Sequence, residues 1–111
     1  MCAQPRNAPR YSFVATAQAE DGSDVRPARV RDLSILGAYL VLPNPFSKNA
    51  SILIKIRTET EFFQCRATVA HSAEGLGMGV TFVEISPPFL NVLQGWLLNA
   101  LQHLTADTPT N

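Results

Sequence analysis

"SILIKIR", Ser51–Arg57, places Ile52, Ile54 and Ile56 on one side of an extended chain and Lys55 and Arg57 on the other. A period of two over seven residues, rich in β-branched side chains, predicts a strand with one face in a core and one in water. Neighbouring stretches repeat the pattern. Downstream, "EFFQCRATVAHS" (61–72) and "MGVTFVEI" (78–85) read as strands joined by the turn "AEGLG". Upstream lie "YSFVATAQA" (11–19), "VRPARVRDL" (25–33) and "GAYLVL" (37–42), separated by "EDGSD" and closed by "PNPFSKNA". Pro27 cannot donate a ladder bond and belongs at an edge or a strand start.

Six short strands joined by hairpin-like links predict a mainly β fold, a six-stranded antiparallel β-barrel, because closure removes edges that would otherwise stay unpaired. The last stretch changes period. Ser86 reads as a cap with Pro87 at the first helical position, and Phe89, Val92, Leu93, Trp96, Leu97, Ala100, Leu101 and Leu104 recur at helical spacing. A C-terminal α-helix is therefore expected to pack on the barrel. Leu90 and Leu98 fall beside that stripe, which leaves room for a second chain and a homodimer through the helix. The expected organisation is a flexible arm over 1–10, barrel and helix over 11–104, and a disordered tail over 105–111.

Composition narrows function. The chain has 111 residues, 46% apolar and 16% charged, enough for one folding unit with one core. No apolar run spans a membrane and no leader-like segment opens the chain, so a cytoplasmic protein with no membrane partner is expected. Nine basic residues balance nine acidic ones, which argues against a nucleic-acid partner held by a general field. Five of the basic residues nonetheless lie within the first 31 positions, which permits a local anion site. Cys2 and Cys65 occupy unlike settings and read as reduced thiols. Cys65 with His71 falls short of a zinc set, His103 is an ordinary helix residue, and no nucleophile, base and orienter come together, so no enzyme, metal or cofactor is expected.

Two spacings invite a ligand. "RNAPR" sets Arg6 and Arg10 four apart, and Pro9 disfavours a helical Ala8, so their Cα atoms lie up to about 13 Å apart on extended chain. Guanidinium groups pair with phosphate, pair with guanine O6 and N7, and stack on purine faces. "DLSILG" adds Asp32, an acceptor for the guanine N1 and N2 donors, and Ser34, a hydroxyl on the same side if the chain is extended. Gly37 permits either a positive φ or a close approach to backbone. Each has a plainer alternative: solvated arginines on a terminus, Asp32 paired with Arg29 or Arg31, and Ser34 and Gly37 as turn residues. Strict alternation would set Val30, Asp32 and Ser34 on one face, which cannot be both core and site, so a bulge or strand end is expected near Arg31.

The patterns Arg-x-x-x-Arg and Asp-x-Ser-x-x-Gly, in that order and followed by "GMGVTFVEIS", resemble the PilZ domain family from about Arg6 to Leu104. The second pattern is the stronger half, arising by chance only about 0.01 times in this composition. The resemblance implies a receptor for the bacterial second messenger cyclic di-GMP, with Arg6, Arg10, Asp32, Ser34 and Gly37 as its binding residues. Only five residues precede Arg6, so the expected receptor signals in trans to an effector protein, through ordering of its arm on binding. A PilZ-like interaction module that binds no cyclic di-GMP is the competing expectation, because Arg6 is flanked by Pro5 and Asn7 rather than by further basic residues. An oligonucleotide-binding barrel is disfavoured by zero net charge and few free aromatics.

Overall fold

Narrow space inside a small barrel sets which side chains face inward. A computed structural model of the chain describes residues 9–107, with side chains for 9–101. These residues form six strands, β1 (Tyr11–Glu20), β2 (Val25–Leu33), β3 (Gly37–Val41), β4 (Ser51–Arg57), β5 (Phe62–Ala73) and β6 (Gly77–Glu84), and one helix, α1 (Pro87–Asp107). The sheet closes in the order β1-β2-β3-β6-β5-β4, every pairing antiparallel. Closure is made by β1 on β4, where Ala17 faces Ile56 and Ala19 faces Ile54 in register.

Small and large residues share the interior. Ala15, Ala17, Ala19 and Ala28 line one wall, while Ile52, Ile54, Ile56, Phe63, Leu40 and Met78 fill the volume those alanines leave. The expected face of "SILIKIR" is thus the buried one, and all three isoleucines are fully enclosed. Pro27 lies in β2 opposite Gln18 of β1, beyond the end of the β2–β3 ladder, so its missing N–H interrupts no bond to β3.

The link between β3 and β4 departs from the expected hairpin. Residues 42–50 cross one end of the barrel, because β4 pairs with β1 and β5 while β3 pairs with β2 and β6. Phe46 anchors the crossing in the core, and the Arg26 guanidinium lies 4.0 Å over its ring while donating from Nη1 to the Asn44 carbonyl at 2.9 Å.

Helix α1 begins where expected. The Leu90 N–H donates to the Ser86 carbonyl at 2.9 Å, which makes Ser86 the cap position, and Pro87 follows as the first helical residue. Leu93 and Trp96 are buried, and Phe89, Val92 and Leu97 pack beside them against β5 and β1. The helix continues to Asp107, three residues past Leu104. Leu101 departs from the expected stripe, since it is 42% exposed, whereas Leu98, expected beside the stripe, is exposed at 57%. Trp96 is held at both ends: its ring lies 5.1 Å from that of Phe13 in β1, and its Nε1 donates to Glu61 Oε1 at 2.7 Å.

Cys65, on the inner face of β5, is a free thiol, and burial pushes its pKa up from 9.0 to about 12. Unfolding returns the thiol to its ordinary range. Between those two values the unfolded chain gives up a proton that the folded one keeps, so this group's contribution to stability is complete below pH 9 and is lost as pH rises to about 12. Peptide mapping after iodoacetamide treatment at pH 8.5 should find Cys65 unmodified in the folded protein and alkylated in 8 M urea.

Candidate functional site

Two departures from regular pairing shape one region of the outer barrel surface. In the β1–β2 ladder, Ser12 faces Asp32 and Ala15 faces Val30, so two residues of β1 oppose one of β2. In the β2–β3 ladder, Val30 faces Leu40 and Asp32 faces Tyr39, which leaves Arg31 as an extra residue. The expected bulge near Arg31 is therefore present. Its effect is to reset the alternation: Val30 points into the core, Arg31 and Asp32 both lie at the surface, and Leu33 is buried again.

Asp32 is the meeting point of the arm and the barrel. Arg10 Nη1 donates to Asp32 Oδ1 at 2.5 Å, and Arg31 Nε donates to Oδ2 at 3.0 Å, with Arg31 Nη2 an ion-pair neighbour of the same oxygen at 2.9 Å. The carboxylate side chain is 15% exposed, against 49% for Arg10 and 62% for Arg31. A carboxylate offers about four acceptor positions, so these two hydrogen bonds leave about two for further donors. Of the two partners expected for Asp32 if it were merely structural, Arg31 is one and Arg29 is not. Arg6 lies outside the described residues.

Ser34 and Gly37 build the bend rather than line its outside. The chain leaves β2 at Leu33, so Ser34 does not continue the extended run that would keep it on the Asp32 side. It is 2% exposed, and its Oγ accepts from the N–H groups of Leu36 and Gly37, each at 3.1 Å. The Ser34 N–H donates to the Gly37 carbonyl at 2.8 Å, which closes the turn. Gly37 is needed for close approach, not for a positive φ: it pairs with Thr81 of β6, and a Cβ there would run into the Val80 carbonyl oxygen. The bend thus holds Asp32 at a defined height above the sheet. Its outward side carries Ile35 and Leu36, both exposed.

Sequence spacing did not reveal a row that continues from Asp32 around the barrel. Ser12, Asp32, Tyr39, Gly79 and His71 are successive partners across β1, β2, β3, β6 and β5. The Arg31 guanidinium carbon sits 4.0 Å from the Tyr39 ring centroid, and the Tyr39 and His71 rings are 6.0 Å apart. Gly79 makes the row continuous, since a Cβ there would collide with the His71 imidazole, which leans over it. Register across five strands, shifted by the irregularities in β1, β2 and β5, brings these residues together.

No helix among the described residues is long and apolar enough to cross a membrane. Among the same residues, no group of three or more His, Cys, Asp or Glu is placed to hold a metal ion.

Against known proteins, the family model described as "PilZ domain" matches residues 4–99. No curated protein matches the sequence. Among solved structures, the chain is similar to the Bacillus subtilis inhibitor of motility (MotI/DgrA), with a TM-score of 0.76 and 19% identity over 96% of this chain and 55% of that one. It is similar to the PilZ domain with c-di-GMP of YcgR from Escherichia coli, with a TM-score of 0.74 and 16% identity over 96% of this chain and all of that one. A third similarity is to the PilZ domain of CeSA from a cellulose-synthesizing bacterium, with a TM-score of 0.64 and 19% identity over 86% of this chain and 99% of that one. The chain spans about half the length of the motility inhibitor.

The bend's interior should matter more to stability than its charged exterior. Ser34→Ala leaves one buried and one part-buried N–H without an acceptor and should cost about 1 to 3 kcal/mol. Gly37→Ala forces β3 from β6 and should cost about 1 to 3 kcal/mol or more. Asp32→Asn breaks partly exposed pairs and should cost at most about 1 kcal/mol. Urea unfolding followed by circular dichroism measures all three.

Proposed function

The chain belongs to the PilZ domain family, and from that membership we propose that it is a non-catalytic cytoplasmic receptor for cyclic di-GMP. The observation that carries this reading is the contact of Arg10 with Asp32, which joins the arm to the bend at one carboxylate. The cyclic di-GMP in the YcgR PilZ domain structure is consistent with it. In the proposed complex Arg6 and Arg10 grip phosphate and the purine faces, while Asp32 accepts from the guanine N1–H and N2–H edge. Ser34 and Gly37 serve the ligand by fixing the bend on which Asp32 stands.

Binding requires an exchange of partners. Arg10 must give up some of its hold on Asp32 to reach phosphate, and the guanine edge replaces it at the carboxylate. Such an exchange alters the path of the chain that leads into β1, and the reordered arm would be the surface that a separate effector protein meets. Charge-assisted hydrogen bonds contribute about 1.5 to 3 kcal/mol each, so two arginines and one aspartate can reach the roughly 8 kcal/mol of a micromolar complex.

One observation favours a second reading. Asp32 is already paired with both Arg10 and Arg31, an arrangement that suits an interaction module with no ligand. Isothermal titration with cyclic di-GMP separates the two. The receptor reading expects binding by the wild-type protein, weakened about tenfold to a hundredfold or more in Arg10→Ala and Asp32→Ala. A folded wild-type protein that takes up no cyclic di-GMP rejects it in favour of the interaction module.

A further inference from the structure

Arg31 belongs to neither spacing that marks the site, yet it is placed as a third ligand-facing guanidinium. Two contacts fix its plane. Its Nε donates to Asp32 Oδ2 with Nη2 2.9 Å from the same oxygen, and its carbon lies 4.0 Å from the Tyr39 ring centroid, the separation of a cation over an aromatic ring. A guanidinium has two faces. With the Tyr39 ring on one and 62% of the side chain exposed, the other face is turned outward beside the carboxylate. A long side chain normally loses rotamer freedom when it stacks on a ligand, and here that loss has largely been incurred already.

We propose that the outer face of the Arg31 guanidinium, held flat by Tyr39, is a stacking platform for a purine base of cyclic di-GMP. This rests on the receptor reading above and deepens it by assigning a base position to residues outside both spacings. The base would lie over Arg31 with its hydrogen-bonding edge toward Asp32, which keeps about two acceptor positions beside its two hydrogen bonds. The His71 ring lies over Gly79 beside Tyr39 and continues the aromatic surface beyond Arg31. Asp32, Tyr39 and Gly79 stand on three adjacent strands, so at about 4.8 Å between strands this part of the row measures about 10 Å. In this arrangement Arg31 touches the ligand, and Tyr39 is a positioning residue that acts through Arg31.

Titration calorimetry with cyclic di-GMP on four variants, each first shown to unfold at the wild-type urea midpoint, tests the assignment. Arg31→Ala should weaken binding about tenfold or more. Arg31→Lys keeps the charge and loses the plane, and should remain close to Arg31→Ala. Tyr39→Leu should weaken binding by itself, yet add little in the Arg31→Ala, Tyr39→Leu double variant, because its effect passes through the guanidinium. Wild-type affinity in Arg31→Ala overturns the platform and leaves the receptor reading intact. Full recovery in Arg31→Lys overturns stacking in favour of plain charge. Additive losses in the double variant overturn the positioning role of Tyr39. Absence of binding by the wild-type protein overturns the receptor reading and the platform with it.

Discussion

A six-stranded barrel has space inside for little more than interlocked side chains, and strict alternation along β2 would push Asp32 and Ser34 toward the same face as Val30. The extra residue at Arg31 relieves that conflict. It lets Val30 and Leu33 both point inward while two consecutive charged residues stay at the surface. Everything proposed at the outer surface follows from this one irregularity: the carboxylate reachable by the arm, the guanidinium lying over Tyr39, and the row that runs on to His71. The matching irregularity in β1, between Ser12 and Ala15, turns the start of that strand so that Arg10 meets Asp32.

Beneath this surface the bend solves a different problem. A tight link between β2 and β3 buries backbone N–H groups that need acceptors, and the Ser34 hydroxyl supplies them from inside. Gly37 then allows β3 to approach β6 closely enough to continue the sheet. A hydroxyl and a glycine at this spacing are therefore required by the protein's own backbone. Their chemistry as turn formers and their place beside a ligand site coincide because the site stands on the turn.

Much of the architecture was legible in order along the chain. The alternation of Ile52, Ile54 and Ile56, the change to helical spacing after Ser86, and the conflict of faces around Asp32 are local patterns, and the structure bears them out. What escaped is non-local. The crossing from β3 to β4 looks like any proline-rich link until the strand order is known. Leu101 sits at the right helical spacing, yet 42% of it is exposed. The pairing of Glu61 with Trp96 spans 35 residues, and the row from Asp32 to His71 depends on the register of five strands and on bulges that shift it. Spacing says which residues share a strand face. It does not say which face they share across strands.

Closure of β1 on β4 carries a further consequence. Many small sheet proteins recruit partners by lending an unpaired backbone edge, onto which an extended peptide adds as one more strand. In the described barrel each strand has a neighbour on both sides, and the stretches paired on one side only, Tyr11–Ala15 of β1 and Val25–Ala28 of β2, are short. What this domain meets is therefore recognised chiefly by side chains and surface shape, which makes its associations sensitive to how the arm, the bend and the helix are posed.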